Sequence, residues 1–364
     1  KKFMEKVSIL SLSLVLTTSF SISSAQSAMF AFYKDLPESW VELLVSLPSA
    51  GIMLMLVLNG LVEKYLSERK MIVTGLLIFA LCGFVPLVNK AYWVIFASRL
   101  IFGMGVGLLN AKAISIISER YEGKERIQTF GLRGSAEVVG TALLTLGVSQ
   151  LLHFGWEISF LVYASGLIVL ALYLLFVPYG KEEKHHEARQ EGKGLTAAQW
   201  FLTIGLALVA AVIVLTNVVI NVRVPGLVEK SGMGSVQTAG LILSTMQLIG
   251  IAAGLSFAPL LHYFKENLLT VAGVAFGLTS IMIGLAPNLL LLSVVTIASG
   301  FVYSVSLTSI FHILSERIPS KSLNQATSIV ILGCSAGATA TTFFLSLISQ
   351  FSSQASFIFG VLGS

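Results

Sequence analysis

The chain repeats itself. Ile117-Ser-Glu-Arg120 returns as Leu314-Ser-Glu-Arg317, 197 residues further on. At the same offset Lys124 meets Lys321, Gln128 meets Gln325, Ser159-Phe160 meets Ser356-Phe357 and Gly166 meets Gly363. Each match is weak alone, but a constant offset sustained over about fifty residues implies a duplicated half. A duplication of this size restricts the fold to two related units of similar length.

What those units are made of follows from composition. Of 364 residues, 55% are hydrophobic and 11% are charged, against about 25% charged in soluble domains. With a mean hydropathy of +0.88, too little polar surface remains to cover a body in water. The apolar excess falls in segments of about 18 to 28 residues, each long enough to cross a hydrocarbon core. Duplicated helical halves in an apolar chain are how many secondary transporters are built, the halves rocking about a shared site.

The expected spans are Val7–Tyr33, Val41–Val62, Met71–Val88, Tyr92–Ser118, Ile127–Leu152 and Trp156–Val177, then Ala198–Ile220, Val236–His262, Leu268–Ala286, Leu289–Leu314 and Leu323–Gln350, with a twelfth beginning near Ser353. The twelfth has too few residues to cross, so the repeat predicts a helix end beyond Ser364. The expected architecture is all-α: twelve membrane helices in two pseudo-symmetric six-helix bundles. Residues 1–178 and 198–364 form the bundles. The polar stretch containing Lys-Glu-Glu-Lys-His-His-Glu, within 179–197, forms a solvated linker. The start also resembles a cleavable signal peptide, but its apolar run continues through Met29, Phe30, Ala31 and Phe32.

Lysine and arginine set the orientation. With the N-terminus inside, inner loops hold Lys64, Arg69, Lys70, Arg120, Lys124, Arg126, Lys181, Lys184, Arg189, Lys193, Lys265, Arg317 and Lys321. Outer loops hold only Lys34, Lys90, Arg223 and Lys230. Both termini are therefore expected in the cytoplasm of a cell whose plasma membrane holds the protein. The net charge of +5 belongs to these loops and not to nucleic-acid binding. Cys82 and Cys334 lie inside spans and make no disulfide framework or metal spacing. No phosphate-binding loop is present, no domain is large enough for catalysis, and no cofactor is implied.

After the second span comes Gly60-Leu-Val-Glu63-Lys64-Tyr-Leu-Ser-Glu68-Arg69-Lys70, and the fourth carries Arg99-Leu-Ile-Phe-Gly103-Met-Gly105-Val-Gly107. Together with six plus six spans and a basic central loop, these segments resemble the major facilitator superfamily over the whole chain. The resemblance implies a charge latch at Gly60, Glu63, Lys64, Arg69 and Lys70, with Glu119 as acceptor. It also implies a proton-coupling role for Arg99. In the fifth span, Gly131-Leu-Arg133-Gly134-Ser-Ala-Glu137 lacks the Gly-Pro pair of the drug-exporting branch.

Ionisable groups inside spans are costly and mark function by default. Arg99, Lys112, Arg133 and Glu137 stand out. Arg133 and Glu137 are one turn apart and able to pair. If a proton is the coupling ion, Glu137 carries it. Lys112 lies ~140° round the helix from Arg99, and either lines the cavity or snorkels to the surface. Three cations against one acid point to a small anionic cargo. Asn110 shares the face of Arg99. In the second half the candidates are uncharged: Asn217, Asn221 and Gln247, with His312 read as an interfacial residue. The serine- and threonine-rich first span is expected to avoid lipid, and Pro48 and Pro259 to sit inside helices. The expected function is a monomeric, gradient-driven secondary transporter working by alternating access. The alternatives are a multidrug exporter and a non-transporting membrane receptor.

Overall fold

The computed structural model describes residues 2–121, 123–178, 195–351 and 354–363. Among them every regular element is helical. The elements are α1 (Lys2–Ser11), α2 (Gln26–Phe32), α3 (Glu38–Tyr65), α4 (Glu68–Cys82), α5 (Val85–Val88), α6 (Tyr92–Arg120), α7 (Gly123–Leu151), α8 (Trp156–Ser159) and α9 (Ser165–Phe176). After the linker come α10 (Ala197–Lys230), α11 (Val236–Phe264), α12 (Leu268–Leu285), α13 (Leu289–Arg317), α14 (Ser320–Ser349) and α15 (Ala355–Gly363). Nine helical runs among the described residues are long and apolar enough to cross a membrane, ten if the bent first segment counts as one. One of these runs holds both α11 and α12, which meet where Lys265 turns the chain at a φ of 51°.

The linker expected at 179–197 lies outside the described residues as far as 194. Thr196 then starts α10 with a capping box closed by Gln199. Such a box satisfies two of the N–H groups that every helix start leaves without partners. The helix continues ten residues past its expected end at Ile220, through Pro225. Proline removes one ladder bond, but Val222, Val224 and Val228 beyond Ile220 are buried, and their burial sustains the helix. Arg223 is consequently a helix residue and not the outer-loop residue expected. Pro48 and Pro259 lie inside α3 and α11 as anticipated.

The first span is broken. Between α1 and α2 the chain runs as tighter 3-10 turns at Leu12–Val15 and Thr18–Ala25, and the two parts differ in direction by 46°. Hydroxyls drive this. Ser11 Oγ donates to the Ser8 carbonyl at 2.7 Å and Thr18 Oγ1 to the Val15 carbonyl at 2.8 Å, diverting backbone acceptors from the α pattern. Ser13, Thr18, Ser19, Ser21 and Ser24 are all buried, so the polar segment is shielded by protein.

Two compact units result. One takes the residues up to Ile22 and those from Leu47 to the linker. The other takes Ser23–Ser46 and the residues after the linker. In the first, α4 packs on α6 and α9, and α7 lies against Leu12–Val15. In the second, α10 packs on α14, α11 on α13, and α12 on α13 and α15, with α2 against α10.

The duplication reappears as packing. A Cβ on Gly140 would strike the Leu14 carbonyl, and one on Gly337 the Ala211 carbonyl. Both glycines and both partners are 197 apart. Likewise Gly103 sits on the Pro48 carbonyl and Gly300 on that of Met246. Each unit therefore repeats the same two close helix crossings, which small residues permit. Gly140→Ala and Gly337→Ala are each expected to destabilise by about 1–3 kcal/mol, the overpacking range. Gly205→Ala, with nothing within 4 Å, serves as the control and is expected to gain up to about 1 kcal/mol from helix propensity. The check is thermal unfolding in detergent, and equal unfolding temperatures for all three variants would refute the crossing argument.

Candidate functional site

In the first unit, α7 carries Arg133, Glu137, Thr141 and Thr145 at four-residue spacing, one stripe along a helix face. Arg133 Nη2 lies 2.7 Å from Glu137 Oε1, with side chains 18% and 21% exposed. This is the pairing anticipated from their spacing. Thr141 Oγ1 donates to the Glu137 carbonyl at 2.9 Å and lies 2.7 Å from Thr17 Oγ1. Thr145 Oγ1 donates to Ser21 Oγ at 3.3 Å. The stripe thus faces the broken first span. Arg133 Nε is buried without a hydrogen-bond partner, an orphaned donor beside a half-buried pair. Thr17, Thr141 and Thr145 were not among the expected site residues; the spacing from Arg133 and Glu137 was the signal for the last two.

Arg99 of α6 is buried. Its Nη2 donates to the Ser19 carbonyl at 2.7 Å, inside the 3-10 stretch. The guanidinium carbon lies 4.9 Å from the ring centre of Phe102 and 5.8 Å from those of Phe160 and Tyr163. Tyr163 Oη donates to the Thr18 carbonyl at 3.0 Å. A planar, weakly hydrated cation suits such an aromatic box, and here it fastens the broken span to α6. Lys112 is buried at 6% exposure, so of the two placements expected for it, the surface one is not adopted. Asn110 is half-buried on the same helix.

In the second unit the three uncharged candidates come together. Asn221 Nδ2 donates to the Asn217 carbonyl at 2.9 Å, and Gln247 Nε2 to Asn221 Oδ1 at 3.4 Å. This unit also holds a charge pair that sequence reading missed. Glu42 of α3 meets Arg223 of α10, with Nη2–Oε1 at 3.0 Å and the Glu42 side chain 3% exposed. One expectation is corrected by it: the later half does carry a helical cation, Arg223. A second pair, Lys230–Glu38 at 3.3 Å, is exposed.

Of the loop motif, Gly60, Glu63 and Lys64 lie on α3 and Glu119 on α6, with side chains outside the described residues. Arg69 donates to the Val177 carbonyl at 3.2 Å and stands 5.7 Å over the Tyr173 ring. Lys70 is exposed in the first turn of α4.

A profile of the Major Facilitator Superfamily matches residues 3–342. A protein described as a TsgA homolog, from Yersinia pestis (strain Pestoides F), is 23% identical over 322 residues, covering 86% of this chain and 79% of its own. Among solved structures, a D-xylose-proton symporter superposes with a TM-score of 0.76 at 17% identity, covering 99% of this chain and 95% of its own. A peptide transporter gives 0.78 at 14% identity, over 100% and 91%. A bacterial homolog of the human lysosomal transporter Spinster, inward-facing and unoccupied, gives 0.76 at 16% identity, over 96% and 84%. The match along nearly the whole chain and the shared all-helical membrane fold lead to one conclusion: the chain belongs to the major facilitator superfamily of multi-pass secondary transporters.

Proposed function

We propose that this transporter moves a small anion by alternating access, coupled to a proton gradient, as a monomer in a bacterial-type plasma membrane with both termini in the cytoplasm. The reading keeps the twelve-span plan, with residues 1–178 and 198–364 as its halves. One observation carries it: the buried, unpartnered Nε–H of Arg133 beside Glu137. A buried donor without an acceptor is unfavourable unless something completes it. An anionic cargo oxygen completes it, and it finds Glu137 one bond away as the group to take up the proton. Lys112 adds positive potential from the same unit. Asn110 supplies a neutral donor and acceptor in that unit, and Asn217, Asn221 and Gln247 form the uncharged polar cluster of the second unit. Arg99, held by the Ser19 carbonyl and the three rings, fastens the broken span to α6 and takes no part in holding the cargo.

Proteoliposomes with an imposed pH gradient, screened over small carboxylates, inorganic anions and drug cations, test the proposal. Arg133→Gln is expected to weaken anion binding about 10- to 100-fold, the size of one charged hydrogen bond. Glu137→Gln is expected to abolish gradient-driven accumulation while exchange of cargo across the membrane survives. Normal accumulation by Glu137→Gln removes the proton role, and transport of cations alone removes the anion reading.

A further inference from the structure

The Arg133–Glu137 pair limits the charge of the cargo as well as its sign. Both residues lie in the run Leu132–Phe154, long and apolar enough to cross a membrane, where uncompensated charge is costly. The pair as it stands carries none, with Arg133 Nη2 2.7 Å from Glu137 Oε1. Among the described residues Arg133 is the one charge that acts on Glu137. The other acids with described side chains on helices packed against α7 are Glu5 on α1 and Glu157 on α8. Arg120 holds the first at 2.9 Å and Lys90 holds the second. Among the described side chains, Glu137 is therefore the single carboxylate at this site whose ion-pair partner a cargo can take.

An anion brought here adds negative charge to a neutral pair. The orphaned Nε–H of Arg133 gives it a hydrogen bond but no second positive charge. Neutrality returns when a proton from water forms an O–H bond on Glu137. The Arg133–Glu137 ion pair then opens, and an oxygen of the anion takes the carboxylate's place on the guanidinium. With a singly charged anion and one proton, the site is neutral before the step and neutral after it. Protonated, the carboxyl is itself a donor, so the anion meets an O–H beside the Nε–H. A dianion leaves one negative charge uncompensated, and a second proton has no carboxylate to receive it. Arg99 and Lys112, buried in the same unit, carry the same charge in both states and do not alter the balance.

Resting on the anion reading, we infer that the site takes one monovalent anion together with one proton, so that loading changes no charge and transport is electroneutral. Carboxylates with a single charge and inorganic monoanions share this chemistry.

The test uses the full chain in two settings. In detergent, the Kd values of lactate, gluconate, nitrate, succinate and sulfate are measured against pH. Uptake of one proton per anion makes the Kd of a monoanion fall about tenfold for each pH unit of acidification, while Glu137 is ionised in the empty site. E137Q is expected to give a flat profile, and the wild-type slope stands whether or not that variant folds. In proteoliposomes, compared with protein-free vesicles, one unit of pH difference with the acid side outside is expected to accumulate the bound monoanion about tenfold. An imposed membrane potential without a pH difference is expected to accumulate none. Lactate and gluconate against nitrate separate an organic from an inorganic cargo. Accumulation driven by potential alone, preference for succinate or sulfate, or a slope of about a hundredfold per pH unit overturns the charge balance and leaves the anion reading in place. Failure to bind any of the five, or a wild-type Kd flat with pH for all of them, overturns the anion and proton reading itself.

Discussion

Arg223→Ala is expected to destabilise the protein by the equivalent of about 3–5 kcal/mol, the usual outcome of removing one partner from a buried ion pair. Glu42 keeps 3% of its side chain in contact with solvent, so without Arg223 its charge has almost no water and only the more distant Lys230 as a cation. Most of the loss comes from that stranded carboxylate and not from the attraction itself. The double variant Glu42→Leu with Arg223→Met removes both charges and is expected to recover most of the loss. Lys230→Ala, acting on a pair whose side chains are 68% and 57% exposed, is expected to change stability by less than about 1 kcal/mol. Thermal unfolding of the four proteins decides the matter. Should Arg223→Ala melt with the wild type, the pair does not hold α3 to α10.

Arg99→Met is expected to cost about 3 kcal/mol, the sum of one charged hydrogen bond and the aromatic contacts. Arg99→Lys should fall between, because an ammonium keeps the charge and loses the planar fork that spans the carbonyl and the rings. The loss should be local as well as global. Amide exchange near Ser19 is expected to quicken first, since the 2.7 Å bond from Arg99 fixes that turn. Cargo affinity in the folded fraction should remain near that of the parent, which separates a fastening role from a cargo contact. Unchanged exchange around Ser19 would defeat this account.

Legibility in the sequence followed what each signal depends on. The 197-residue offset was readable because Ile117-Ser-Glu-Arg120 and Leu314-Ser-Glu-Arg317 keep their chemistry, and the same offset relates Gly140 on Leu14 to Gly337 on Ala211. The Arg133–Glu137 pair was readable because one helix contains both members, and helical spacing is fixed. Glu42–Arg223 was not: its members are 181 residues apart, and no local period joins them. Arg223 was further hidden by Pro225 and Gly226, which imitate a loop until the buried valines around them are known. The aromatic box of Arg99 draws on α6 and on Phe160–Ala164, again a long-range assembly. The break in the first span was half visible: its hydroxyl density announced shielding from lipid, but not that those hydroxyls would take over the backbone carbonyls.

That break has a mechanical side. The eight residues Thr18–Ala25 are wound as a 3-10 helix, whose rise is about 2.0 Å per residue against about 1.5 Å in the α form. Rewinding them shortens the segment by about 4 Å, so the coil is telescopic, with its length stored in winding and not in slack. The changeover from one compact unit to the other falls at Ile22 and Ser23, inside that coil. Spin labels on cysteines replacing Phe3 and Lys34, with Cys82 and Cys334 removed, would read the stroke. A separation that never varies between cargo-free and cargo-loaded samples would show a rigid strut in its place.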